Sequence, residues 1–169
     1  MAEMLAMTPY MMQTALNQTL QKIFKGKTYC GPGGEKELNF FEQDLPIDTG
    51  RDDAVDTTAA FAPYIITEIG DMDSPEGDTP MEVDVTMYIC AYDMGLERQG
   101  YRDVLNIVTD IMKGFRAVPR FGRACTVKGN IKGKMSKDDY HPYYFGAVEM
   151  TCTVANADPA TDPEIEEMV

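Results

Sequence analysis

The chain has 169 residues, 44 % of them hydrophobic, and a formal net charge of −13. That length suits one core and that composition is ordinary for a globular protein, far from the low hydrophobicity of a disordered chain. The acidic excess argues against unaided attachment to nucleic acid or to an anionic membrane, both of which need basic surface.

Apolar runs such as residues 64–66 are far shorter than the roughly 20 residues a membrane-spanning helix requires, so no integral membrane protein is expected. Residues 1–7 contain Glu3 and lack both a positive leader and a small-residue cleavage pattern. Synthesis in a cytoplasm without Sec export follows as an expectation. Cys30, Cys90, Cys125 and Cys152 form no Cys-x-x-Cys pair, and His141 is the one histidine, which sets structural zinc aside. The cysteines read as buried free thiols, with two disulfides as the alternative.

Thr8 and Pro9 make a helix start, a capping hydroxyl followed by a residue with no amide to lose. Met12, Leu16, Leu20, Ile23 and Phe24 then share one face, and Gly26 supplies a stop. Met7, Met11 and Met12 read as core filler, with an adaptable binding surface as the second reading. Residues 28–60 hold the run Gly31, Pro32, Gly33, Gly34, many acids and only short apolar islands, and are expected to be an extended acidic arm. Phe40 and Phe41 are the candidate anchors of that arm on a partner, or else fold back on their own core.

Residues 61–69 are β-branched and aromatic. Residues 81–92 alternate, with Met81, Val83, Val85, Met87 and Ile89 on one face and Glu82, Asp84, Thr86 and Tyr88 on the other. Both predict strands, joined by a projecting acidic loop over residues 70–80. Tyr101, Val104, Leu105, Val108, Ile111, Met112 and Phe115 predict one stripe of a helix ending near Gly114. Residues 125–132 and 143–155 predict a second hairpin, the latter alternating through Tyr144, Gly146, Val148, Met150, Cys152 and Val154. The sum is a single α+β domain over residues 1–155, with about four main strands, mostly antiparallel, packed against two helices. A flexible acidic tail follows over residues 156–169.

No catalytic constellation emerges, and no cofactor is implied. Gly31–Gly34 is followed by Glu35 and Lys36 where a phosphate-binding loop needs Lys then Ser or Thr. His141 has no nucleophile motif beside it, and no Gly-x-Ser-x-Gly elbow exists. Asp71, Asp73, Glu76 and Asp78 could offer calcium several oxygens, but Pro75 breaks the ligand spacing and a solvated loop is the simpler reading. These acids belong to residues 68–84, which hold seven acids and no base, whereas residues 98–137 hold ten bases, with Arg116, Arg120 and Arg123 in quick succession. Such a polarity is either two solvated faces or a head-to-tail contact between copies, in which Arg116, Arg120 and Arg123 meet the acidic loop.

Residues 63–70 (PYIITEIG), the acidic connection, residues 83–93 (VDVTMYICAYD) and residues 99–105 (QGYRDVL) together resemble the tail terminator, or neck and tail-completion, proteins of long-tailed bacteriophages and prophages. The likeness covers about residues 61–154 and lies in the arrangement of strands and helix. It implies a structural, non-enzymatic virion protein that forms a ring, usually of six, on the end of the tail tube. Such a ring ends tube growth and offers the head connector or head-completion protein a joining surface. Partners would be other copies of the chain, the tail tube protein and the connector, with DNA only passing through a lumen that the loop of Asp71, Asp73, Glu76 and Asp78 would line if it does not meet a neighbouring copy. The chain would reside in the host cytoplasm until assembly. Another head-to-tail joining component, or a monomeric acidic module that mimics nucleic acid, are the alternatives.

Overall fold

The computed structural model describes residues 8–46, 60–77 and 79–155 of an α+β chain. The first helix, α1 (Pro9–Ile23), starts where Thr8 Oγ1 accepts the Met11 amide at 3.1 Å. Met12, Leu16, Leu20 and Phe24 are buried, and Ile23 packs against the same core. Gly26, at φ +79°, turns the chain away. Met11 is exposed and Met7 lies outside the described residues, so only Met12 of the methionine trio is seen in the core.

The described part of the expected arm, residues 28–46, is instead largely sheet. β1 (Thr28–Gly31) and β2 (Gly34–Glu37) form an antiparallel hairpin whose turn uses Gly33 and Gly34 at φ +81° and +127°. β3 (Asn39–Glu42) then joins the main sheet parallel to β4 (Tyr64–Asp73). Successive strand residues point to opposite faces, so the Phe40–Phe41 doublet serves two cores. Phe40 packs on the main cluster and Phe41 on a second one, edge-on to Phe61 and Tyr64. Neither ring anchors a free arm; residues 47–59 of that stretch, and the expected tail at 156–169, lie outside the described residues.

β4 pairs antiparallel with β5 (Met81–Tyr92). α2 (Gln99–Ala117) follows, then β6 (Arg120–Phe121), β7 (Cys125–Met135) and β8 (Tyr143–Val154). The sheet order is β3-β4-β5-β8-β7-β6, so six strands replace the expected four, and only the β3–β4 pair is parallel. Irregularities between Ile69 and Met72 and between Lys128 and Lys132 add local twist.

Both helices cover one face of the sheet. α2 buries Val104, Ile107, Val108, Ile111 and Phe115, each contributing about 1.5–3 kcal/mol before conformational entropy. The stripe is rotated from the expected one: Ile107 is buried, whereas Tyr101 and Leu105 stand on the flank. α2 approaches so closely that a Cβ at Gly146 would lie 2.7 Å from Val104 Cγ1, and one at Gly133 2.7 Å from Val108 Cγ1. α2 also runs past Gly114, which is not a stop: a Cβ there would meet Ile23 Cδ1 of α1 at 3.0 Å.

Candidate functional site

The strand order sorts charge across the sheet. At one end β3 and β4 carry Glu42, Glu68, Asp71 and Asp73 and no base; at the other, β6 and β7 carry Arg120, Lys128, Lys132 and Lys134 and no acid. Alternation sends Lys128, Lys132 and Lys134 to the face away from the helices, toward Glu82 on β5 and Glu149 on β8. Lys128 pairs with Glu82 across β8, and Lys134 Nζ lies 2.9 Å from Glu149 Oε1. The middle of the sheet is thereby neutralised. Among the described residues Glu42, Glu68, Asp71 and Asp73 at the acidic end, and Arg120, Arg123 and Lys132 at the basic end, form no ion pair.

The residues singled out in the sequence fall onto these two ends. Arg116 leaves the last turn of α2 and donates from Nη2 to the Gly129 carbonyl of β7 at 2.9 Å. Arg120 lies in β6 and Arg123 in the turn between β6 and β7, so the three arginines share the basic edge. Asp71 and Asp73 are not in a projecting loop but in β4, with Asp73 opposite Glu82; only Glu76 stays in the connection, and Asp78 lies outside the described residues. Among the described residues no group of three or more His, Cys, Asp or Glu side chains is placed to hold a metal ion.

Among the described residues both edges are open. β6 matches only Cys125 and Thr126, so from Lys128 to Met135 no strand among the described residues lies on the far side of β7. Among the described residues β3 likewise pairs with β4 alone. Its end is held by a polar network that the sequence reading missed. Gln43, at φ +65°, accepts the Ile69 amide on Oε1 at 2.7 Å and takes a second bond there from Gln13 Nε2 at 2.8 Å. Gln13 Nε2 also donates to the Thr67 carbonyl at 2.8 Å, and the Thr67 hydroxyl donates to Asn17 Oδ1 at 2.8 Å. Gln13 and Asn17, four apart on α1 and beside its apolar stripe, were the available signal.

His141 sits where β7 returns to β8. Its Nδ1 is 3.1 Å from the Tyr144 hydroxyl, and its amide donates to Asp139, which pairs with Arg98 at 3.1 Å. Arg98 and Tyr144 border an open hollow of about 300 Å³ with Tyr101, Tyr140, Tyr143 and Phe145. Asp93, at the end of β5, accepts the Gly95 and Gly100 amides, and these bonds hold its carboxyl below the usual range. This arrangement caps α2 in place of Arg98, which makes no side-chain cap. Cys30, Cys125 and Cys152 are not joined in disulfides; burial pushes their thiols to about 12, 11 and 12, with the Asp103 carboxylate adding to the effect at Cys30. No helix among the described residues is long and apolar enough to cross a membrane.

The fold and these edges define an α+β chain whose six-stranded sheet carries opposite charge at its two margins. No protein-family model matches the chain, and no curated protein matches it.

Proposed function

We propose that the chain is a structural subunit, without enzymatic activity, that assembles head to tail into a ring. In this reading the ring is the tail terminator of a long-tailed bacteriophage or prophage: it caps the tail tube and joins it to the head connector. The observation that carries the reading is the sorting of charge that has no ion-pair partner among the described residues to opposite edges of one sheet. Opposite edges attract and like edges repel, which favours a heterologous contact of the kind that closes rings. A net charge of −13 suits a conduit for DNA, since like charge keeps a passing duplex from adhering over the roughly 8 Å reach of the field. A monomeric nucleic-acid mimic fits less well, because it needs an unbroken acidic face and here Lys128 and Lys134 interrupt it.

Light scattering at low and high salt, followed by negative-stain imaging, tests the proposal. A closed ring of about six copies supports it. A chain that stays monomeric at every concentration, and also fails to bind a tail tube, refutes it.

A further inference from the structure

The ring reading leaves open which surfaces meet. We infer that the open edge of β7, with the groove beside it, receives the β3–β4 edge of a second copy, so that the sheet continues from one subunit into the next. This inference rests on the ring reading.

Four observations converge. Beyond its irregularity β7 resumes a regular stretch at Lys132–Met135, registered on β8 and with no strand among the described residues on its far side; this is four residues, the length of β3. Outward main-chain groups on an open edge are a ready template for another strand. Lysines on such an edge repel a second β7 edge, and Glu42 and Glu68 repel a second β3–β4 edge, so only the mixed contact is free of like charge. The charges that form no ion pair among the described residues, Arg120, Arg123 and Lys132 on one side and Glu42, Glu68 and Asp73 on the other, are those that the mixed contact would join.

The fourth observation is apolar. Beside the β7 edge, on the helix side, lies an open groove of about 450 Å³ formed by Met112, Ala117 and Ile131 between Lys113 and Arg116. On the acidic side two apolar side chains stand in water: Met72 of β4, 58 % exposed, and Met11 of α1, 47 % exposed. α1 is tied to that edge through Gln13 and Gln43. Methionine fills irregular grooves well, so the mixed contact covers apolar surface as well as pairing charge.

The test uses two full-length variants whose changed residues make no ion pair among the described residues, with circular dichroism to verify the fold. The first carries Arg120→Glu, Arg123→Glu and Lys132→Glu; the second carries Glu42→Lys, Glu68→Lys and Asp73→Lys. Each alone should lose self-association by about 100-fold or more at low salt, because both of its edges then carry one sign. An equimolar mixture should regain wild-type assembly with the two variants alternating. Rings of wild type and of each variant alone, formed equally well, would overturn the edge contact and leave the ring reading standing. A wild-type chain that never associates, with itself or on a tail tube, would overturn both.

Discussion

Thr67→Val isolates the polar network that holds the acidic edge in place. Thr67 is fully buried at 0 % exposure, and its hydroxyl donates to Asn17 Oδ1 at 2.8 Å with the Phe41 carbonyl at 3.3 Å as a second acceptor. Valine matches threonine in volume, so no cavity opens; the loss is an orphaned buried acceptor on Asn17, which costs about 1–3 kcal/mol. For a domain of this size that corresponds to a fall of about 2–12 °C in Tm. Asn17→Leu should cost less than Thr67→Val, because the hydroxyl can turn to Phe41. Combining the two changes should be milder than the sum of the singles, since neither polar partner then remains unpaired. Urea unfolding of all four proteins, at a concentration low enough to keep them monomeric, measures these differences. A Thr67→Val protein within about 0.5 kcal/mol of wild type, the scatter of a surface change, would refute the reasoning, as would strict additivity.

Three further outcomes are expected. Phe115→Ala removes a ring that is 1 % exposed and lies edge-on to Phe121 at 5.7 Å, so chemical unfolding should report a loss of about 3–5 kcal/mol. Asp93 is ionised more readily in the folded chain than in the unfolded one, so its stabilisation is complete above the ordinary carboxylate value of about 3.9 and is lost as pH falls below it. Thermal melting between neutral and acid pH should therefore show a smaller acid loss in Asp93→Asn than in wild type. Cys30 is partly exposed yet pushed to about 12, so a thiol reagent near pH 8 should label it far more slowly in the native chain than after unfolding. A native Cys30 that reacts as fast as the unfolded thiol would contradict the role given to burial and Asp103.

The sequence shows its elements best where one face is buried and the other wet. β8 alternates buried and partly exposed over its full length, as Tyr144 through Val154 had indicated, and β5 does so for most of its own. β1 and β2 escape that logic because β2 is exposed at every position, leaving no apolar period to read. β3 is missed for the opposite reason: its two central residues both serve cores, on opposite faces, so adjacent aromatics look like an isolated island. Gly114 misleads as a stop because the same residue that ends helices also lets two helices approach, and only tertiary contact with Ile23 decides between them.

The candidate site was legible in charge and not in geometry. Arg116, Arg120 and Arg123 cluster in sequence and share an edge in space, but the acids assigned to a loop lie partly on β4. A strand can carry Asp71 and Asp73 because this end of β4 is the wet one: Tyr64–Thr67 are buried, whereas Gly70–Asp73 are exposed. The lysines that neutralise the middle of the sheet are spread over β7 and find Glu82 and Glu149 only through register, which no local pattern encodes.

Whether a head-to-tail contact closes or runs on as a filament depends on the rotation between copies, and the sheet itself bears on that rotation. Adjacent strands turn by roughly 20–25°, and bulges increase the turn. Here two irregularities flank the same row of the sheet: one ends at Ile69, opposite Val85, and the other at Lys132, opposite Glu149, beside the Val85–Met150 pair. A sheet extended edge to edge through such subunits inherits that curl at every copy. Curl repeated in one sense bends the row of copies toward closure, as twist and stagger do within a barrel. In the proposed ring, removing the β7 irregularity by deleting both Gly129 and Asn130, so that Lys128 and Lys132 stand two apart opposite Thr151 and Glu149, should therefore flatten the contact. The expected product is an open filament or a ring of larger circumference, seen by negative-stain imaging; rings of unchanged diameter would place the source of closure outside the sheet.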